Sequence, residues 1–422
     1  MSLATAPVVS NQAPTAPFRH PGEMLTSGQR LTYILLLGAL VALGPFTVDL
    51  YLPAFPDVAR DLGASDAAIQ LTLTATMVGF GLGQMIVGPL SDAFGRRRPL
   101  LIATSVHVLA SIAVALAPTV AWVTAGRVVQ GIGAAGGAVV AMAVVRDLFG
   151  GQPLIRMLAR MALVTGLAPV LAPVIGSQLL RVTEWRGIFL VLAGYGFLMT
   201  IVAGVLISET LPIERRGAVS AAVVRGRYRR LLTDPTFVGV LVIGAMGFTA
   251  LFSYLSSSSF LLQDAFGLSP QQFGLVFGVN SLGLVIASQT SSRLMRRFAP
   301  RSVMTLGLTL MLLGAATLFT LAQLGGGIEA VLVPLFFVIS SFGLLIPTVQ
   351  TMALADHGSE AGTAASLLGA MNFGVAGAIS PLVGALGISV SSMAIVMVGA
   401  LAFAHMSLWF VVRQRASHDV LV

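Results

Sequence analysis

The stretch GLGQMIVGPLSDAFGRRRPLL, residues 81–101, is an apolar run that breaks on a glycine and three arginines before apolar sequence resumes. The stretch SLGLVIASQTSSRLMRRFAPR, residues 281–301, repeats its plan at an offset of 200. Gly83 aligns with Gly283 and Gly88 with Ser288, and both segments end in an arginine cluster. A repeat at that distance divides the chain into two related halves.

Composition says what the halves are made of. The 422 residues are 56% hydrophobic and 9% charged, where a soluble domain carries about 25% charged residues. A single water-soluble core cannot use so much apolar sequence, so the chain reads as a polytopic membrane protein. Apolar runs of spanning length fall at 31–53, 67–89, 99–118, 121–146, 157–180 and 187–208, then at 235–262, 270–292, 302–322, 329–353, 362–384 and 390–412. The expected fold is therefore an all-α membrane protein of 12 transmembrane helices in two pseudo-symmetric six-helix bundles, 31–208 and 235–412. Residues 209–234 form the long charged connection between them. Residues 1–30, rich in Ala, Pro, Thr and Ser, read as a disordered N-terminal tail, and 413–422 as a C-terminal tail. The first apolar run starts at Leu31 and exceeds 20 residues, which argues against a cleaved signal peptide.

Arginine placement sets the expected orientation. With the N-terminus inside, 20 of the 24 arginines are cytoplasmic, three (Arg60, Arg181, Arg186) lie outside and Arg127 lies in the membrane. Both termini are then cytoplasmic. The net charge of +8 reflects this topology and not affinity for nucleic acid. The absence of cysteine removes thiol chemistry, and five scattered histidines give no metal-ligand spacing. No metal, no cofactor and no enzyme activity are expected.

Two charges fall inside spans: Asp49 near the end of the first and Arg127 near the start of the fourth. Each costs on the order of 2.5–3.5 kcal/mol at membrane depth on insertion scales, so each needs a function or a partner. An interfacial acid and a snorkelling arginine are the plain alternatives. In the loop after span two, Gly88 offers a close helix approach, Gly95 a tight turn, and Asp92 a partner for local arginines. An ordinary positively charged loop is the plain reading there. In span five, Pro169 and Pro173 lie four apart and free backbone carbonyls, with Gly166 and Gly176 offering close packing against the other half. A packing kink is the simple alternative. Tyr51, Gln130, Tyr254, Asn280 and Asn372 are polar candidates for a substrate cavity, each also readable as an interhelical hydrogen-bonding residue.

These motifs resemble the major facilitator superfamily. Gly88, Asp92, Gly95, Arg96 and Arg97 match its cytoplasmic loop motif, which the resemblance makes a latch between halves, with Asp147 as the acidic partner of Arg96. Ala93 departs from the arginine usual at its position. Arg127, Gln130 and Gly131 resemble the RxxQGxG motif of proton-coupled members, and the span-five pattern that of exporters. DLYLPAFP at 49–56, SETLP at 208–212, the stretch 251–263 and FGLSPQQFGLVFGVNSLG at 266–283 are similar to the bicyclomycin/chloramphenicol resistance branch of drug:proton antiporters. The resemblance implies proton-coupled efflux of small amphipathic drugs across the bacterial inner membrane, with Asp49 as the proton site and Arg127 as its tuner. It also implies a monomer embedded in lipid. A second acid found on this helix in some relatives is absent between Leu35 and Val48. Uptake symport of a metabolite is the nearest alternative, and a non-transporting membrane sensor or scaffold the alternative of another class.

Overall fold

The computed structural model describes residues 21–217, 221–355, 357, 361–379, 383–384 and 386–412. Most of the N-terminal tail (1–20) and the C-terminal tail (413–422) lie outside these residues.

Helix boundaries follow local chemistry. Thr26 caps α1 (Ser27–Asp49) in a capping box with Gln29, and the chain turns at Tyr51 into the short α2 (Phe55–Asp61). Ser65 caps α3 (Asp66–Phe94), which stops at Gly95, where φ is +88°. Helix α4 (Arg97–Ala115) and the Thr119-capped α5 (Val120–Leu148) follow. The first half closes with α6 (Gly151–Leu179) and α7 (Trp185–Leu206). The connection carries α8 (Ala221–Thr233). In the second half, proline at the first turn opens α9 (Pro235–Phe260), α10 (Pro270–Leu294) and α11 (Pro300–Gln323). They are followed by α12 (Ile328–Leu354), α13 (Ala361–Ile379) and α14 (Val390–Phe410).

Among the described residues, eleven helices are long and apolar enough to cross a membrane. The twelfth position is α6, continuous over 29 residues through both prolines. Outward faces are apolar: Ile102, Leu109 and Leu116 make a seven-residue stripe on α4, each more than 60% exposed. Such a stripe is stable against lipid and not against water, and the chain is a multi-pass membrane protein.

The repeat read from sequence reappears as a repeated packing pattern. In the first half α5 packs on α3, α4 and α1, with α4 on α7 and α1 on α6; in the second, α12 packs on α10, α11 and α9, with α11 on α14 and α9 on α13. The halves meet through two equivalent crossings, α6 with α10 and α3 with α13.

Close packing in lipid depends on dispersion contacts, so glycines sit where backbones touch. A Cβ on Gly131 of α5 would stand 2.4 Å from the Thr76 carbonyl oxygen and 3.1 Å from the Gly79 Cα. A Cβ on Gly79 or Gly83 would meet the carbonyls of Val128 or Ile132 at 2.1 and 2.6 Å. Backbone cannot yield as a side-chain tip does. Gly131→Val is expected to destabilise the first half by about 3 kcal/mol or more, at the upper end of overpacking. Gly194→Val, where a Cβ meets nothing within 4 Å, is expected to be silent. Thermal unfolding of both purified variants checks this, and equal melting temperatures would refute it.

Candidate functional site

Arg127 is the largest fully buried side chain, at 0% exposure. Its Nη1 donates to the Thr47 carbonyl and to Gln130 Oε1, both at 2.8 Å. Thr47 belongs to the last turn of α1, whose terminal carbonyls have no partner within the helix. A guanidinium there also meets the negative end of the helix dipole. The ring of Tyr51 lies 4.9 Å and that of Phe189 5.6 Å from its central carbon, a cation–π box that further compensates the charge.

The network continues into α4. Gln130 Nε2 donates to Ser111 Oγ at 2.8 Å, and Ser111 Oγ to the His107 carbonyl at 2.7 Å. The Thr47 hydroxyl donates to the Leu43 carbonyl at 2.7 Å and lies 2.9 Å from His107 Nε2. Its single proton is thereby used, so His107 donates through Nε2 and its Nδ1 carries a lone pair. Among the described residues that buried Nδ1 has no hydrogen-bond partner, and neither do Arg127 Nε and Nη2. Thr47, His107 and Ser111 are residues of this network that sequence alone does not point to. Small polar residues in apolar helices occur too widely to mark a site until their neighbours are known.

Asp49 is 5% exposed, at the last position of α1. Among the described residues no ion pair joins it to Arg127, which instead binds the backbone two residues earlier. Asp49 lies within electrostatic range of Tyr254 on α9 of the second half. The Tyr254 hydroxyl accepts from Asn280 Nδ2 at 3.0 Å, and its ring stacks on Phe277 at 5.3 Å. Arg127 of α5 thus reaches the last turn of α1 two residues before Asp49 without pairing with it.

The cavity candidates separate accordingly. Gln130 and Tyr51 do not line open space: both are 0% exposed and committed to the interior of the first half. Tyr254 and Asn280 satisfy each other. Asn372 differs, because its buried Oδ1 has no hydrogen-bond partner among the described residues. It lies beside Gly244 of α9, next to an aromatic group that spans the halves: Phe80 and Phe373 at 5.8 Å, Phe373 and Phe248 at 5.2 Å.

The span-five pattern also divides. Gly166 faces Val285 of the other half at ordinary contact distance. Gly176 does not face the other half; a Cβ there would stand 2.2 Å from the Leu50 carbonyl in its own half. The close approach between halves comes instead from α10, whose Gly274 and Gly278 lie on α6 against Pro173, Val174 and Ser177. Their four-residue spacing, GLVFG, was the available signal. Gly88 likewise has room for a Cβ, 3.7 Å from Val139, and Gly79 and Gly83 make the close contacts in its place.

Five hydrogen bonds cross between halves among the described residues, and all lie at the end where α6 and α9 finish. Gln70 Nε2 donates to the Ser256 carbonyl at 3.1 Å and Ser257 Oγ at 3.2 Å. Ser259 Oγ donates to the Leu52 carbonyl at 2.6 Å, and Gln263 Nε2 to that of Pro53 at 3.0 Å. Gln271 Nε2 donates to the Ser177 carbonyl at 2.8 Å. A run of four serines in an apolar span was the sequence signal for this seal.

At the opposite, arginine-rich end the loop motif holds to its own half. Arg96 binds Asp147 at 2.8 Å, Asp92 at 2.5 Å and Ser91 at 2.8 Å. Glu209 accepts from the backbone N–H groups of Arg96 at 2.8 Å, Arg97 at 3.3 Å and Leu211 at 3.0 Å, and pairs with Arg216 at 3.5 Å. Burial pushes its carboxyl up, but those N–H groups and the Arg216 guanidinium outweigh burial and hold it below the ordinary range. Arg97 reaches the Gly204 carbonyl at 2.6 Å. The latch implied by the motif is here closed on α5 and on the segment after α7, and among the described residues it makes no hydrogen bond to the second half.

Two halves of like packing, sealed at one end and carrying buried polar groups where they meet, define a membrane transporter. Residues 35–381 match the model of the Major Facilitator Superfamily, and the chain belongs to that family. It is 35% identical over 348 residues to the MFS-type transporter YdgK of Bacillus subtilis, covering 82% of this chain and 87% of the relative. It is 30% identical over 343 residues to a bicyclomycin resistance protein homolog of Haemophilus influenzae, covering 81% and 86%. Among solved structures, a D-xylose-proton symporter superposes with a TM-score of 0.72 at 16% identity, covering 92% of this chain and 98% of that one. That likeness concerns the fold alone.

Proposed function

We propose that this transporter exports small amphipathic compounds, neutral or singly cationic, from the bacterial cytoplasm in exchange for protons, with Asp49 as the exchanging group. The observation that carries the reading is Asp49 itself: a carboxylate 5% exposed, without an ion-pair partner among the described residues, at the end of α1 and within electrostatic range of Tyr254 in the second half. Proton binding neutralises it and loss of the proton restores an anion, so the two states of one residue change how the halves attract. Arg127 of α5, held on the carbonyl of Thr47, couples that change at the end of α1 to α5. The name of the Haemophilus relative supports a drug as cargo.

Arginine bias supports a cytoplasmic arginine-rich end, with both termini on that side. The seal at the opposite end then corresponds to an inward-facing state, ready to accept a compound from the cytoplasm. The aromatic group around Phe80, Phe248 and Phe373, with the unpartnered Asn372 Oδ1 and Thr74 Oγ1, suits a largely apolar molecule offering a hydrogen-bond donor. No cofactor enters the scheme; the proton gradient supplies the energy, and the unit is a monomer in the bilayer.

The test uses inverted membrane vesicles acidified inside and a fluorescent pH probe. Adding a chloramphenicol-like or bicyclomycin-like compound is expected to dissipate the gradient only when the transporter is present. Proton movement in the same direction as the compound would instead establish symport, and no coupled movement across a broad panel would refute transport of this class.

A further inference from the structure

At the arginine-rich end of the second half, α11 opens at Pro300 where α14 finishes at Phe410, so both reach the same membrane boundary. Between them lies a pocket of about 290 Å³ lined by Arg301, Ser302, Thr305 and Trp409. Arg301 is fixed across it: Nη2 donates to the Leu408 carbonyl at 3.2 Å, and the guanidinium lies 5.5 Å from the Trp409 ring centre. Its Nε is buried with no acceptor among the described residues. The Thr305 hydroxyl donates to the Arg301 carbonyl at 2.8 Å, and α11 has no side-chain cap.

The surroundings are one-signed. Residues 288–305 contain four arginines and no acid, and neither does α14. Arg293, Arg296 and Arg297 are exposed, and none of the four forms an ion pair among the described residues. Phe298, Trp409 and Phe410 are 56%, 61% and 84% exposed at the same level, as aromatic side chains are where headgroups meet hydrocarbon. Below the pocket the surface becomes apolar, with Leu306, Leu310 and Leu313 of α11 and Met406 and Phe403 of α14 exposed.

We propose that this pocket binds the phosphodiester headgroup of an anionic phospholipid. The Arg301 guanidinium, which lines the pocket, and the exposed Ser302 hydroxyl supply donors to phosphate oxygens, and the arginines before α11 supply the field. The acyl chains run along the leucines of α11. A free phosphate would use the same donors but gain nothing from that apolar track, which is why a lipid is the favoured source. The site is independent of the direction of transport.

Full-length protein in neutral detergent, titrated with phosphatidylglycerol, phosphatidylcholine or inorganic phosphate and followed by native mass spectrometry and thermal unfolding, tests this. Phosphatidylglycerol is expected to remain bound and raise the melting temperature, and the other two to do neither. Arg301→Ala is expected to weaken phosphatidylglycerol by about tenfold or more, the scale of one lost charged hydrogen bond. Ser302→Asp provides a variant that folds, because an acid in the first turn suits the helix dipole, yet it places a negative charge against the phosphate. It should lose the lipid to a similar extent with an unchanged lipid-free melting temperature. Wild-type affinity in Ser302→Asp, or inorganic phosphate binding as tightly as phosphatidylglycerol, would overturn the proposal.

Discussion

Asp49→Asn is expected to abolish gradient-driven efflux while leaving expression and folding intact. Asparagine has nearly the same shape and resembles the protonated acid, so the variant is locked in one charge state and cannot cycle. The wild-type carboxylate makes no ion pair among the described residues and sits at 5% exposure. Its replacement therefore breaks no bond and removes a charge that is costly at membrane depth, by on the order of 2.5–3.5 kcal/mol on insertion scales. Resistance in an efflux-deficient host should fall to the level of an empty vector, and the melting temperature of the purified variant should stay equal or rise. Full retained resistance would end the role assigned to Asp49. Substrate exchange without a gradient should survive, because it requires no change of protonation.

Arg127→Met is expected to be equally inactive for a different reason. Methionine has comparable length and fills the site between Tyr51 and Phe189. Replacing a buried charge by an apolar side chain of similar volume is often neutral or stabilising by about 1–4 kcal/mol. Against that stands the loss of partners for the Thr47 carbonyl and Gln130 Oε1, at about 1–3 kcal/mol for each group left buried and unpaired. The terms nearly cancel, so the melting temperature should shift by only a few degrees. Transport should nevertheless disappear, because the end of α1 that carries Asp49 is no longer tied to α5. A melting temperature that collapses together with transport would make Arg127 a structural residue and remove it from the coupling scheme.

Both variants act on an arrangement that sequence foreshadowed only in part. Asp49 and Arg127 stand out because charge in an apolar run is locally visible and locally expensive. That Arg127 reaches the backbone of α1 at Thr47 and makes no ion pair with Asp49 among the described residues was not legible. Gln130 sits three residues after Arg127, and this spacing identifies a shared helical face. Whether that face meets a cavity or α4 depends on how α5 is rotated, and the structure turns it toward Ser111. The glycines show the same limit. Gly176 and Gly278 look alike in sequence, yet one admits the carbonyl of Leu50 within its own half and the other brings α10 against α6 of the opposite half.

What the sequence determined by itself is whatever depends on one segment at a time. Membrane insertion follows the hydropathy of each run, helix starts follow Ser, Thr, Asp and Pro at their caps, and the repeat at 81–101 and 281–301 pairs the halves. Each apolar run overlaps one helix among the described residues; α6 begins at Gly151 against an expected 157, α3 runs on to Phe94 against 89, and the run 362–384 ends partly outside the described residues. Only the tertiary structure decided the partners: the closure of the loop motif on Glu209 and Asp147, the polar network from Thr47 to Ser111, and the seal from Gln70 to the serine run. Each of these joins residues on different helices, and a rotation of 100° per residue decides which of them meet. No single helix carries that information, because the rotation is fixed by the close packing of all its neighbours.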